Sequence, residues 1–449
     1  MGRHSHTQRL IVWLNGLPVG EWDAAPGRNA FGYFDEWIQD DQGRPLSLSL
    51  PFTPSNERYR GELVANYFDN LLPDRDLIRK RLAQRFKTGG VEPYQLLSEI
   101  GRDCVGAIQL LPPDEEPQNL YQIVGRPLDE PAIAKILRNA TSTEPLRFDD
   151  DDHDLRLSIA GAQEKSALLF HQNQWLYPGG STPTTHILKL PLGIVGNMQA
   201  DMRTSVENEW LCSKIVAAFG LPVAHCDIST FEDQKVLVVE RFDRKYSADG
   251  KWIVRLPQED FCQVTGTAPL HKYQADGGPG IINIMDVLLG SDQKIIDRRN
   301  FFKTQLIFWL LAAIDGHAKN FSIAHLPGSQ YRATPLYDVL SAHPVIGTGQ
   351  NQYAPQKVKL AMAIRGSKNY YEIAQIQRRH WTKMAQQVGL GNHVAEEIIV
   401  EVLAAVNGVV DAMYNLLPVD FPIDVAQSIL DGILHQSDKL SAMPPFDQR

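Results

Sequence analysis

The segment Asp315-Gly-His-Ala-Lys-Asn320, with Asp338 standing 23 residues beyond Asp315 in Leu336-Tyr-Asp-Val, carries the residue types that phosphoryl transfer needs. An aspartate can take the proton of an acceptor hydroxyl, and an asparagine at the fifth position beyond it can reach a magnesium ion. A second aspartate at the end of a hairpin can hold the cation that bridges the phosphates. Asp315 is therefore the candidate base, and Asn320 and Asp338 are the candidate metal ligands. Taken singly, Asp315 would also suit a helix cap and Asp338 a turn. Their joint order and spacing favour chemistry on a triphosphate.

Such chemistry also needs a fixed positive charge. Lys189 interrupts the apolar strand Ile187-Leu-Lys-Leu190, and a buried lysine is costly unless it meets an anion. A lysine snorkelling from a sheet edge is the plainer alternative. Glu207 and Glu209, on the helix that follows, are both available as its partner, and helical periodicity does not choose between them. The segment Ser158-Ile-Ala-Gly-Ala-Gln-Glu-Lys165 precedes the first strand pair of the second domain, where a loop over a nucleotide belongs. It has one glycine, Gly161, and matches neither the G-x-G-x-x-G loop nor a Walker A motif. Ser158, close to the expected phosphates, is a candidate for self-phosphorylation. Glu240-Arg-Phe242 ends a strand where a hinge would lie, so its extended backbone suits an adenine edge. Asp276-Gly-Gly-Pro-Gly280 reads as a turn opening a helix at Ile281 rather than a phosphate cradle. His317 has no second His or Cys at ligand spacing and is not expected to bind metal by itself.

The elements that must position these residues are legible as a coarse pattern. Leu10–Leu14 and Pro18–Trp22 flank Asn15-Gly16, a tight hairpin signal, and a helix is expected over Leu63–Leu72, stopping before Pro73. A strand is expected at Ala107–Leu111, followed by a Pro/Asp/Glu-rich stretch from Pro112 to Asp154 that contains Asp149-Asp-Asp-Asp152 and reads as a solvated linker. The domain boundary is placed near residue 150, giving domains 1–150 and 151–449. Beyond it, Ser166–Phe170 pairs with Trp175–Tyr177, His186–Leu190 is a third strand, and Val206–Phe219 is a buried helix ending at Gly220. Lys235–Phe242 and Lys251–Leu256 flank Asp249-Gly250 as a second hairpin. The helix Gln305–Ile314 is apolar on nearly every face and would anchor the Asp315 loop, and Phe321–His325 with Tyr331–Tyr337 would form a hairpin delivering Asp338. The remainder is expected to be mostly helical. The fold class is α+β: a protein-kinase-like, bilobed arrangement with an N-terminal mixed α/β lobe and a mostly helical C-terminal lobe.

Composition bounds these readings without naming an activity. The 449 residues suffice for more than one domain, and 43% hydrophobic with 22% charged residues is ordinary for a globular chain. A net charge of −9 argues against a chain that coats nucleic acid over its whole surface. The segment from Lys357 to Lys383 is locally basic and reads as a solvated helical face. Cys104, Cys212, Cys226 and Cys262 lack C-x-x-C spacing and fit reduced thiols, hence a cytoplasmic location. The N-terminus shows no signal-peptide apolar core, and the most apolar stretch, Phe301–Ile314, is too short to span a bilayer, so no membrane partner is expected.

Taken together, Ser158–Lys165, Thr185-His-Ile-Leu-Lys-Leu-Pro191, Asn208-Glu209, Val239-Glu-Arg-Phe-Asp-Arg244, Leu256-Pro-Gln-Glu-Asp260, Asp276–Gly280, Asp315–Asn320 and Tyr337-Asp338 closely resemble the HipA serine/threonine kinases. Phe68-Asp-Asn-Leu-Leu-Pro73 and Ile100-Gly-Arg-Asp103 extend the resemblance over nearly the whole chain. HipA proteins are toxins of type II toxin–antitoxin pairs, associated with growth arrest and persistence. The resemblance implies ATP and Mg2+ as cofactors and phosphorylation of a serine on a cytoplasmic protein, for which glutamyl-tRNA synthetase is the family's best-known target. It further implies a HipB-like helix-turn-helix antitoxin as partner, with operator DNA bound through the antitoxin complex in autorepression. Carried over residue by residue, Asp315 is the catalytic base, and Asn320 and Asp338 bind magnesium. Lys189 holds phosphates, and Glu240 and Phe242 contact adenine. The loop Ala160, Gly161, Ala162, Gln163, Glu164 and Lys165, with His317, Ala318, Lys319 and Asn320, completes the ATP site. Ser158 is the autophosphorylated serine, and the Asn208-Glu209 match inclines towards Glu209 as the partner of Lys189. Asp-x-His-x-x-Asn also resembles the catalytic loop of phosphoinositide kinases, so a lipid or small-molecule kinase is one rival reading, and a non-catalytic corepressor is another.

Overall fold

The computed structural model describes residues 8–25, 28–141, 163–196 and 198–445. Ser158, Ala160, Gly161, Ala162 and the run Asp149–Asp152 lie outside the described residues. The first domain is built on a five-stranded antiparallel sheet in the order Tyr59–Arg60, Arg28–Tyr33, Leu17–Ala25, Arg9–Leu14, Ile108–Leu111. The expected hairpin forms at its centre, with Asn15 and Gly16 both at positive φ (48° and 85°), as a two-residue turn of this hand requires. One face of the sheet buries Leu10, Val12 and Trp22 against the helix Glu62–Asp69, where Trp22 stacks on Phe68 with ring centroids 4.0 Å apart. That helix ends at Asp69, earlier than the expected Leu72. The Asn70 amide donates back to the Asn66 carbonyl (2.8 Å) and across to that of Thr267 (2.9 Å), and this tie to the second domain ends the helix before Pro73 is reached.

The stretch expected to be a solvated linker is partly built into the second domain. Gly125–Pro127 is the edge strand of a six-stranded antiparallel sheet, and the helix Glu130–Thr141 covers one face of that sheet through Ile133, Ala134 and Leu137. From the opposite edge the strands run Cys226–Phe231, Gln234–Glu240, His186–Lys189, Lys165–His171, Gln174–Pro178 and then Gly125–Pro127. The expected pairing of 235–242 with 251–256 does not occur. Gln234–Glu240 pairs with Cys226–Phe231 and His186–Lys189, while Asp249-Gly250 turns a smaller hairpin between Arg244–Tyr246 and Ile253–Arg255. The strand Cys226–Phe231 carries polar residues at Asp227, Ser229 and Thr230, which hid it from an apolar-run reading.

The buried helix Ser205–Ala218 lies against the sheet on one side and the helical lobe on the other. The helical lobe consists chiefly of Lys294–Leu311, Arg378–Gln387, Asn392–Leu416 and Ile423–Ser441. It also holds a second hairpin, Lys359–Arg365 with Asn369–Glu372, so the basic segment 357–383 is half strand rather than one helical face. Two of its cations meet carboxylates, Lys359 with Glu372 at 3.4 Å and Arg378 with Glu396 at 2.6 Å, and Arg365 donates to the neutral Asn369 at 2.8 Å. All four cysteines are buried free thiols, and among the described residues no helix is long and apolar enough to cross a membrane.

The first domain is joined to the second by a buried ionic network. Asp103 receives Arg244 (2.9 Å), Arg255 (3.2 Å) and the backbone and side chain of Thr184 (3.0 and 2.7 Å). Asp243 receives Arg241 (2.8 Å) and the Gly106 amide (2.7 Å). Burial pushes the Asp103 carboxyl up, but Arg244, Arg241 and Arg255 outweigh it and hold it well below the usual carboxylate range. Breaking such a network from one side leaves guanidinium charge buried without its partner, a cost of about 3–5 kcal/mol. Asp103→Asn should therefore lower the unfolding free energy by roughly that amount in urea denaturation; a loss below about 1 kcal/mol would mean the network is not what couples the domains.

Candidate active site

A cleft of about 500 Å³ lies between the six-stranded sheet and the helical lobe, and Asn70, Leu71, Asp74 and Arg75 of the first domain form part of its wall. Asp315, Asn320, Asp338 and Lys189 all line it. Each is set in place by a different element. The long helix Lys294–Leu311, buried over most of its length, ends with Ala312 in the left-handed region (φ 47°), which releases the chain into the Asp315 loop. There the His317 amide donates to the Asp315 carbonyl (2.8 Å), the Asn320 amide donates to the His317 carbonyl (2.9 Å), and the Asn320 side chain donates to the Asp315 carbonyl (2.7 Å). With Nδ2 so committed, Asn320 keeps its Oδ1 as the atom suited to a hard cation.

Asp338 arrives from the other direction. The short hairpin Ser322–His325 and Tyr331–Ala333 ends four residues before Tyr337, so Asp338 is delivered by irregular chain rather than by the strand itself. That chain is anchored through Tyr337, whose buried hydroxyl donates to the Lys319 carbonyl (3.0 Å) and bonds Ser322. Asp338 itself sits at φ 56°, a conformation uncommon for residues other than glycine and tolerated best by Asp and Asn. Three residues on, Ser341 donates to the Leu311 carbonyl (2.6 Å), and its backbone exchanges two bonds of 2.8 Å with the Asn208 amide. Asn208 and Glu209 therefore work as a pair, one fixing the chain after Asp338 and the other facing Lys189.

Lys189 is 4% exposed, and its ammonium donates to Glu209 Oε1 at 2.6 Å while also contacting Asp338. Glu209 is thus its partner, and Glu207 pairs instead with Lys235 at 2.6 Å. Lys165 stands opposite Lys189 in the strand register. Burial and the neighbouring Lys189 charge lower its pKa to about 7. Lys319 reaches out of the loop to Asp74 (3.0 Å) and the Asn70 carbonyl (3.1 Å), with Asp260 4.0 Å away. Burial works against its charge, but Asp74 and Asp260 outweigh that and raise its pKa. Of the remaining expected residues, Gln163, Glu240, Phe242 and His317 line the cleft. Glu164 and Ala318 do not: the Glu164 carboxylate meets Arg81 of the first domain, and Ala318 is fully buried in the core.

Residues 10–111 match the family description "HipA N-terminal domain" and residues 157–410 match "HipA-like C-terminal domain". The chain belongs to the HipA family. It is 33% identical to "Putative kinase Y4mE" of Sinorhizobium fredii, over 85% of this chain and 86% of that one. It is 27% identical to the serine/threonine-protein kinase toxin HipA of Shewanella oneidensis, over 80% and 79%. A solved structure of the Shewanella oneidensis toxin–antitoxin system, HipA with HipB and operator DNA, superposes with TM-score 0.77 at 22% identity, covering 97% of this chain and 98% of that one. The HipA architecture is a kinase-like fold, so the bilobed α+β class expected from the order of strands and helices is the one observed.

Sequence reasoning about chemistry missed Asp74, Asp260, Lys272 and Tyr273, which all line the cleft. Asp74 came from the first domain, where no site was expected; it receives both Lys272 (2.7 Å) and Lys319 (3.0 Å). Asp260 had a readable signal: with Gln263 three residues later it forms a capping box on the helix Phe261–Thr265. Burial lifts its carboxyl to about 6 against the pull of Lys319.

His317 is 4% exposed, and its Nδ1 has no hydrogen-bond partner among the described residues. Burial lowers its pKa from 6.5 to about 4, opposed by Asp315. Between those two values the unfolded chain binds the proton and the folded one does not, so this histidine makes folding stability rise with pH across that window. The stability of the wild type relative to His317→Gln should drop by about 3 kcal/mol as pH is lowered from about 7 to about 4. A difference that stays constant across paired urea titrations would contradict the buried neutral imidazole.

Proposed function

We propose that this chain is an ATP-dependent serine/threonine protein kinase and the toxin of a type II toxin–antitoxin pair. The observation that carries the reading is the placement of Lys189 between Glu209 and Asp338, in the cleft that Asp315 and Asn320 also line. The acceptor serine gives its proton to Asp315 as its oxygen bonds the γ-phosphorus and the bond from that phosphorus to the ADP oxygen breaks. Lys189 holds the α- and β-phosphates, Glu209 keeps its ammonium in place, and Lys165 stands opposite it on the neighbouring strand. Ile187, Ala224 and Val239 offer an apolar wall to adenine, next to the backbone of Glu240–Phe242.

Asn320 and Asp338 would hold Mg2+, and the donor set fits. One carboxylate and one amide oxygen are hard ligands that leave room for phosphate oxygens, and among the described residues no cluster of three His, Cys, Asp or Glu competes for a metal. When bound, the ion supplies neutralisation of phosphate charge. Ala160, Gly161, Ala162, Gln163 and Lys165 would contact the phosphates, with Ser158 the site of autophosphorylation. Glutamyl-tRNA synthetase is the proposed substrate, growth arrest and persistence the outcome, and the cytoplasm the location. A HipB-like antitoxin is the proposed partner, binding operator DNA and repressing transcription with this chain. The full-length likeness to the Shewanella oneidensis HipA–HipB–DNA structure supports that partnership.

Incubation with γ-labelled ATP should place label on protein serines. Asp315→Gln should cut the initial rate by about a hundred- to ten-thousand-fold while a non-hydrolysable ATP analogue still binds. Label appearing only on lipid or a small metabolite overturns the protein-kinase reading. Growth arrest that survives the substitution turns the assignment towards a corepressor.

A further inference from the structure

We propose that Tyr273 is a positioning residue for Asp315, and that the turn Asp276–Gly280 exists to deliver it. The inference rests on the reading of Asp315 as base. The Asp315 side chain is 53% exposed, unlike that of His317, which is 5% exposed in the same loop. A half-exposed carboxylate samples several rotamers unless something restrains it. The Tyr273 hydroxyl supplies the restraint by donating to Asp315 Oδ1. Burial and the adjoining Asp315 charge push the phenol well above its ordinary pKa, so it remains a donor at every working pH.

The ring is itself fixed from two sides. It packs edge-to-face on His317 with centroids 5.0 Å apart, and the Lys272 ammonium lies 5.6 Å from its centroid while donating to Asp74 of the first domain at 2.7 Å. Its backbone is fixed by the glycine-rich turn. The Tyr273 carbonyl accepts from the amides of Asp276 and Gly278, both at 3.0 Å, and a Cβ at position 278 would overlap the His271 carbonyl oxygen. Gln274 ties the turn to the Lys359–Arg365 strand by accepting from the Ala363 amide at 2.7 Å. The helix that the turn opens, Ile281–Val287, has only seven residues. The turn therefore serves the side chain that precedes it. With Tyr273 on Oδ1, Asp315 Oδ2 is the oxygen left for the acceptor hydroxyl.

Tyr273→Phe removes the hydroxyl and keeps the ring. Losing the restraint on the base should lower kcat for label transfer from γ-labelled ATP, to casein or to the chain itself, by about ten- to hundred-fold. The KM for ATP, the affinity for a magnesium-loaded ATP analogue and the thermal midpoint should stay within error of wild type. Full or increased kcat overturns the proposal, and an increase would make Tyr273 a gate on the base instead. A fall in kcat accompanied by lost nucleotide affinity or a lowered midpoint would also overturn it, because the role would then be structural. Asp315→Gln run alongside separates the two failures: if that variant remains active the reading of the base fails, and if it is dead while Tyr273→Phe is not, only the positioning role fails.

Discussion

Buried ammonium groups in one cleft set the constraint that shapes this molecule. Lys189 and Lys319 are 4% and 6% exposed, and a lysine taken out of water keeps its charge only where anions meet it. The fold supplies those anions from distant parts of the chain. Glu209 comes from the helix Ser205–Ala218, Asp338 from the segment after the short hairpin, Asp260 from a helix cap, and Asp74 from the first domain. Moving Glu209, Asp74 or Asp260 away would leave a charge in a poorly solvated place.

Seen this way, the first domain is part of the chemical site. Asp74 and the Asn70 carbonyl hold the lysine of the Asp315 loop, and the same Asp74 holds Lys272, on which the Tyr273 ring leans. The buried network of Asp103, Asp243 and three arginines keeps that domain registered against the segment that follows the strand Gln234–Glu240. The strand carrying Lys189 and the loop carrying Asp315 are thus referred to one common body.

What was legible in the sequence and what was not divides along a physical line. That Asp315, Asn320, Asp338 and Lys189 share one cleft was legible because the proposed chemistry ties their types to a recognisable spacing, and the hairpin at Asn15-Gly16 was legible because its turn demands positive φ. The strand Cys226–Phe231 escaped because its polar residues mask the apolar pattern on which strand recognition rests. The structured part of the 112–154 stretch escaped because a three-residue edge strand and an amphipathic helix sit within a run of Pro, Asp and Glu. Asp74 and Tyr273 escaped for a deeper reason. Their contacts exist only once distant residues are brought together, 198 positions apart for Asp74 and Lys272 and 42 for Tyr273 and Asp315, and no local pattern encodes that. Glu207 and Glu209 were indistinguishable by period, and the structure separates them by giving each its own lysine.

The two carboxylates around Lys189 are not equivalent, and the difference suits the exchange of partners that the proposed function requires. Glu209 is 6% exposed and extends from a buried helix, so water competes little for its bond to Lys189. Asp338 is 29% exposed, sits in a strained left-handed conformation, and belongs to chain held by side-chain anchors rather than by a strand. Of the two it is the one that, under the proposed function, would exchange Lys189 for a metal cation. The lysine is oriented by the more deeply buried of its two partners, Glu209, and the aspartate proposed to hold the metal is the one placed nearer solvent.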